Sequence, residues 1–265
     1  MVATTVQIGA LAREVGGNDI EVRVLIKPGI DPHDYEATAG DLKALRSARL
    51  VLRNGIGLDE FLDDAIESAE AGSRVVTVTD GIDVRETGGE PDPHVWHDPG
   101  NARVMAANIA AALGVAEPAL AGAFGGRAAA YGRTLDDTAA QIEALIETVP
   151  PQNRKLVTDH DAFGYFIDRF GLTLVGTVIP GSTTQSEPSA RELAALVDTI
   201  RRENVKAIFA ESSLDAATAR QIARDTGVRI VDDLYGDSLG EPGSGAETIH
   251  GMLLANARKI VEALK

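Results

Sequence analysis

Twice in this chain an imidazole follows an Asp-Pro pair, at Asp31-Pro32-His33 and at Asp92-Pro93-His94. Proline holds its own φ near about −65°, so each of these histidines sits on a stiffened loop. Two further turn-rich stretches, Thr158-Asp159-His160-Asp161 and Tyr235-Gly236-Asp237-Ser238, add a third imidazole and a carboxylate. His33, His94, His160 and Asp237 together would make one metal site. Three neutral nitrogens and one anionic oxygen suit four-coordinate Zn2+ and leave the occupied site at about +1. Manganese is a harder ion that prefers oxygen donors, so this set leans toward zinc, with Mn2+ as the alternative.

The rest of the composition agrees with a cation as partner. The 265 residues carry a net charge of −15, with a sequence pI near 4.7, which repels nucleic-acid phosphates and anionic lipid. Absence of cysteine excludes disulfides, thiolate zinc sites and a thiol nucleophile. No apolar run approaches the ~20 residues that span a bilayer. The opening Met1-Val2-Ala3-Thr4-Thr5 does not read as a basic segment followed by an apolar signal core, so the expectation is a cytoplasmic protein or one whose export segment was removed. With 44% hydrophobic residues the chain can fill one large core or two ordinary ones, and two lobes are expected.

Positioning four loops requires a scaffold, and the apolar pattern suggests one. Runs at Val2–Ile8, Ile20–Ile26, Leu50–Leu52 and Val75–Val78 read as strands with helices between most of them. Thr38 and Asp41 form a capping box for one helix, Asp59-Glu60 give an acidic first turn to the helix Phe61–Ala69, and Asp98-Pro99 start the helix Asn101–Leu113. From Glu117-Pro118 to Pro150-Pro151 only scattered glycines interrupt helical spacing, which predicts a rod of about 30 residues and ~45 Å. Strands at Lys155–Thr158, Thr173–Val178, Ala207–Ala210 and Val228–Val231 then alternate with helices at Ala162–Phe170, Ser189–Arg202, Ala216–Thr226 and Glu247–Leu264. The reading is α/β: two similar lobes, each a mostly parallel sheet flanked by helices, at residues 1–114 and 150–265, joined by a spine helix over 115–149. His33, His160 and Asp237 each follow a strand, and ligands of open α/β sheets sit beyond the carboxyl ends of strands. Two donors from each half would meet between the lobes.

The segments Gly29-Ile-Asp-Pro-His33-Asp-Tyr-Glu36, Asp92-Pro-His94-Val-Trp96, His160-Asp-Ala-Phe163-Gly-Tyr-Phe166, Ser186-Glu-Pro-Ser189 and Gly236-Asp237-Ser-Leu-Gly also carry a resemblance. In the same order along nearly the whole chain, they resemble the solute-binding proteins of zinc/manganese-type ABC transporters, the cluster A-I or cluster 9 family. The resemblance implies two α/β lobes bridged by one long helix and the metal ligands His33, His94, His160 and Asp237. It also implies capture of Zn2+, or Mn2+, outside the cytoplasmic membrane, in the periplasm or at the cell surface, and delivery to an ABC permease by a monomeric carrier. Histidine rather than glutamate at 160 leans toward the zinc branch. Many zinc-specific members carry a long His- and acid-rich loop in the first lobe, whereas only Glu86-Thr-Gly-Gly-Glu90 stands here. A metal-collecting role for such a loop is absent or passed to a metal-delivering chaperone.

Competing readings attach to particular residues. His97, three residues after His94, could replace it or add a fifth donor, but precedes the helix cap at Asp98 and is expected to face water. His250 lies within the last helix and reads as an ordinary helical histidine. Glu211 ends a strand on the ligand edge and is expected to orient an imidazole or to join an inter-lobe ion pair. Asp31, Asp34, Asp159 and Asp161 flank the histidines as candidate ring N–H acceptors, and Trp96 and Phe163 as packing that excludes water. A zinc hydrolase with Glu211 as general base is the rival chemistry, although catalytic zinc keeps three protein ligands and an open position where four donors are available here. A surface adhesin is a further alternative of the same family. A siderophore or corrinoid binder is the remaining variant, and it needs a wide apolar or basic pocket that this donor set does not suggest.

Overall fold

The computed structural model describes Met1–Lys265. Its first sheet is formed by β1 (Val2–Ala3), β2 (Arg23–Val24), β3 (Val51–Arg53) and β4 (Val75–Thr77), in the order β2-β1-β3-β4 with every pairing parallel. The second contains β7 (Lys155–Thr158), β8 (Thr173–Thr177), β9 (Ala207–Glu211) and β10 (Arg229–Leu234), ordered β10-β9-β7-β8 and again parallel. Counted within each half, both sheets have the same order, 2-1-3-4. The plan therefore repeats although the sequence does not.

Helices cover these sheets: α1 (Val6–Gly16), α2 (Ala39–Ser47), α3 (Asp63–Ser68) and α4 (Pro99–Ala116) in the first half, α6 (Gly164–Phe170), α7 (Ala190–Glu203), α8 (Ala217–Thr226) and α9 (Ile249–Leu264) in the second. The expected capping box of Thr38 with Asp41 forms, Ser189 with Glu192 makes a second at the start of α7, and Asp98 caps α4 by accepting from the Gly100 N–H at 2.7 Å. Between the halves runs α5 (Ala121–Glu147), whose 27 residues give a rod of about 40 Å. Its buried stripe Phe124, Ala128, Tyr131, Leu135, Ala139, Ile142 and Ile146 keeps helical spacing. Gly122, Gly125 and Gly126 have no neighbour near a would-be side chain, so they cost helix propensity but no packing.

Two expectations are corrected, and one element was not anticipated. The run Val2–Ile8 is not one strand: after two strand residues Thr5 caps α1, accepting from the Ile8 N–H at 3.4 Å, and Val6–Ile8 are helical. Asp59 is not a solvated first-turn charge but a buried acceptor of the Thr4 hydroxyl at 2.6 Å and of the Asn54 and Gly55 N–H groups, both at 2.7 Å. Residues 86–91 form a small antiparallel hairpin, β5 (Glu86–Thr87) with β6 (Glu90–Pro91). The hairpin reaches the second lobe, where Thr87 Oγ1 donates to Asp161 Oδ2 at 2.5 Å.

One apolar cluster of 48 buried residues runs from Ala3 and α1 through α4 and α5 into α6, β9 and α9. Two satellite clusters of 11 residues lie under the outer helices of each lobe. The main core is thus shared by both lobes.

Candidate metal site

Each donor is delivered by a loop at the carboxyl end of a sheet or just before a helix. In both Asp-Pro-His segments the aspartate accepts the histidine's own backbone N–H, Asp31 from His33 at 2.9 Å and Asp92 from His94 at 3.0 Å. This local turn explains why the tripeptide occurs twice. His160 follows β7, and Asp237 follows β10 after a register shift between Val231 and Leu234 that turns the strand end.

The structure brings all four predicted residues together, with one donor atom from each lying within 4.8 Å of every other. His94 Nε2 is 3.3 Å from His33 Nε2 and 3.4 Å from His160 Nε2. Asp237 Oδ1 lies 3.2 Å from His94 Nε2, and its Oδ2 lies 3.2 Å from His160 Nε2 and 3.4 Å from His33 Nε2. A regular tetrahedron with bonds of about 2.0–2.1 Å has edges of about 3.3–3.4 Å, so each of these contacts has the length of an edge in the shell of a zinc-sized ion. His94, His160 and Asp237 are buried, His33 nearly so, and neither Asp237 oxygen has a hydrogen-bond partner. Nitrogen lone pairs facing one another around an unpartnered buried carboxylate call for a positive charge at their centre.

Carboxylates behind the rings decide which nitrogen faces inward. Asp92 Oδ1 is 2.7 Å from His94 Nδ1, and Arg85 balances Asp92 from behind at 2.7 Å. Glu211 Oε1 is 2.8 Å from His160 Nδ1 in a bent ion-pair contact, while its Oε2 accepts the Asp237 N–H at 3.1 Å. Asp159 in turn accepts the Glu211 N–H at 2.7 Å. Holding Nδ1–H outward leaves Nε2 free to ligate. With Arg85 offsetting Asp92, the charges of Glu211 and Asp237 would neutralise a divalent ion within the site.

The same field moves the ionisations. Burial alone would lower His94, but Asp237 and Asp92 outweigh it and hold the ring up at about 9. His160 is likewise pushed down by burial and raised well above the usual range by Glu211 and Asp237. Burial would raise Asp237, yet the three imidazoles keep it well below the ordinary carboxylate range. Burial pushes Asp159 up to about 7, with the neighbouring Glu211 charge adding to the effect. Without metal, the cluster attracts protons where it would otherwise attract a cation.

The other candidates sort by contact. His97 does not face water: it is fully buried, its Nε2 donates to the Gly236 carbonyl at 3.1 Å, and burial lowers its ring to about 3. His250 is held by the Tyr131 hydroxyl at 3.2 Å, as an ordinary helical histidine. Of the two roles expected for Glu211 it takes the orienting one. Neither Asp159 nor Asp161 is bonded to a ring, since Asp161 serves Thr87 and lies 3.6 Å from Arg85, and Asp34 is exposed. Asp92 was missed as a ring acceptor, although its place two residues before His94, matching Asp31 before His33, was the available signal. Trp96 and Phe163 are fully buried, Phe163 with its ring 4.8 Å from that of His97.

Fold and cluster define a class, two-lobed α/β proteins with a cation-adapted group of histidines and one aspartate where the lobes meet. Comparison with known proteins is more specific. The chain belongs to the family described as zinc-uptake complex component A, periplasmic (ZnuA), whose model matches residues 1–263. It is 33% identical to the manganese-binding lipoprotein MntA of Bacillus subtilis (strain 168), over 99% of this chain and 89% of that one. To the zinc-binding protein TroA of Treponema pallidum (strain Nichols) it is 32% identical, over 100% and 88%. The solved structure of that periplasmic zinc-binding protein superposes with a TM-score of 0.93 at 33% identity, covering 99% of this chain and 98% of the other. The family is made of transport components, not enzymes.

Proposed function

We propose that this chain is an extracytoplasmic solute-binding protein that takes a divalent transition metal, Zn2+ foremost, between its lobes and delivers it to a membrane ABC permease. His33, His94, His160 and Asp237 are the ligands in this reading, with lobes 1–114 and 150–265 joined through 115–149. The observation that carries it is the donor cage: five nitrogen and oxygen separations of 3.2–3.4 Å around a buried carboxylate with no other partner. Glu211 Oε2 accepts the Asp237 N–H and Oε1 lies 2.8 Å from His160 Nδ1, the nitrogen on the far side of the ring from the donor cage, so this carboxylate is placed behind a ligand and not as a hydrolytic base. The carrier works as a monomer, and a metal-delivering chaperone takes the place of the missing collecting loop.

Calorimetric titration of chelator-stripped protein with zinc tests the reading. One-to-one binding tighter than roughly micromolar, about −8 kcal/mol, is expected, and its absence rejects the proposal. Manganese is the second reading, favoured by the presentation of both Asp237 oxygens to the cluster, which would enlarge the oxygen share of the shell. Competition between the two ions decides it: displacement of bound zinc by equimolar manganese would reverse the assignment.

A further inference from the structure

Gly236, the residue before Asp237, is gripped from both sides. A side chain there would begin 1.8 Å from Glu211 Oε2, so only glycine lets the loop lie against that carboxylate. Its carbonyl, pointing the other way, meets two donors of the first lobe, Trp96 Nε1 and His97 Nε2, each at 3.1 Å. A carbonyl only accepts, so the His97 proton is on Nε2, and Nδ1 is left buried without a partner. Both donors are fully buried, and both lie two or three residues after His94.

We infer that Trp96 and His97 are positioning residues for metal capture: they pin the Gly236 carbonyl to the first lobe and so fix the Asp237 carboxylate opposite His94. The inference rests on the metal-carrier reading above and adds to it. His94 and Asp237 come from different lobes, and their 3.2 Å separation would otherwise depend on the placement of one whole lobe against the other. Instead a single short segment, 94–97, supplies one donor and holds the loop of the other. Two bonds use both lone pairs of one carbonyl in a dry environment, where losing a donor strands a polar group as well as freeing the loop.

Zinc release into excess chelator, followed by stopped flow on full-length wild type, Trp96→Phe, His97→Phe and His97→Gln, tests this. Phe keeps ring bulk without the N–H, whereas Gln carries its amide N–H at about the reach of Nε2. The two Phe variants should release zinc about 10–100-fold faster, the range found when groups supporting metal ligands are removed. The Gln variant should return most of that loss, a recovery that bulk packing cannot produce. Wild-type rates in Trp96→Phe, or a Gln variant as fast as His97→Phe, overturn the positioning role alone. Should His97→Phe not fold, Trp96→Phe and His97→Gln still decide the matter. Wild-type protein that takes up no zinc overturns the metal reading and this inference with it.

Discussion

Asp92 and Glu211 select the nitrogen that His94 and His160 offer, and that selection is testable one atom at a time. Asp92→Asn keeps the shape behind His94 but replaces an anion with a neutral amide. Zinc affinity by calorimetry should fall about 10–100-fold, and an unchanged value would show that the ring orients itself. Protonation gives a second prediction. His94 is raised above its unfolded value to about 9, so the folded metal-free protein holds that proton at neutral pH. The stabilisation is present in full below about 6.5 and is lost as pH rises through about 9. Zinc must displace this proton, so titrations at pH 7 in two buffers of different ionisation heat should show proton release that fades above pH 9. The four residues that converge, His33, His94, His160 and Asp237, were legible because proline and glycine turns mark them locally. His97 was misplaced because its burial comes from Gly236 and Phe163, distant along the chain, whereas its neighbours suggested an exposed helix start.

At the scale of elements, α5 was readable from its stripe and from Pro118 before it and Pro150-Pro151 after it. The strand and helix boundaries of the second half fell within a few residues of the expected ones. What failed was the first strand. Val2, Val6 and Ile8 are all buried, and a short apolar run buried on several sides has no periodicity to separate strand from helix. Only the Thr5 cap divides β1 from α1, and a threonine among β-branched neighbours reads equally well as strand. The hairpin at 86–91 escaped notice because each strand is two residues long. Leu135 is fully buried in the middle of α5, and Leu135→Ala should cost about 2–5 kcal/mol in denaturant unfolding of the metal-free protein. A loss below 1 kcal/mol would mean that the spine is not packed as described.

For the molecule as a whole, the shared core and the inter-lobe bonds argue against wide hinge motion. Ser238 Oγ accepts the Gly29 N–H at 2.8 Å, Thr184 donates to Asp31 at 2.6 Å and Gln185 donates to the His33 carbonyl at 2.5 Å. Small-angle scattering should therefore give a radius of gyration of about 18 Å with and without zinc, and a change of several ångströms would favour a hinge. The continuous apolar cluster through α1, α5 and α9 has a thermal consequence too. Neither half retains a complete interior when the other melts, so scanning calorimetry should record one endotherm rather than two. Ligand binding at the lobe junction, and damage to a helix far from it, would then move the same melting temperature.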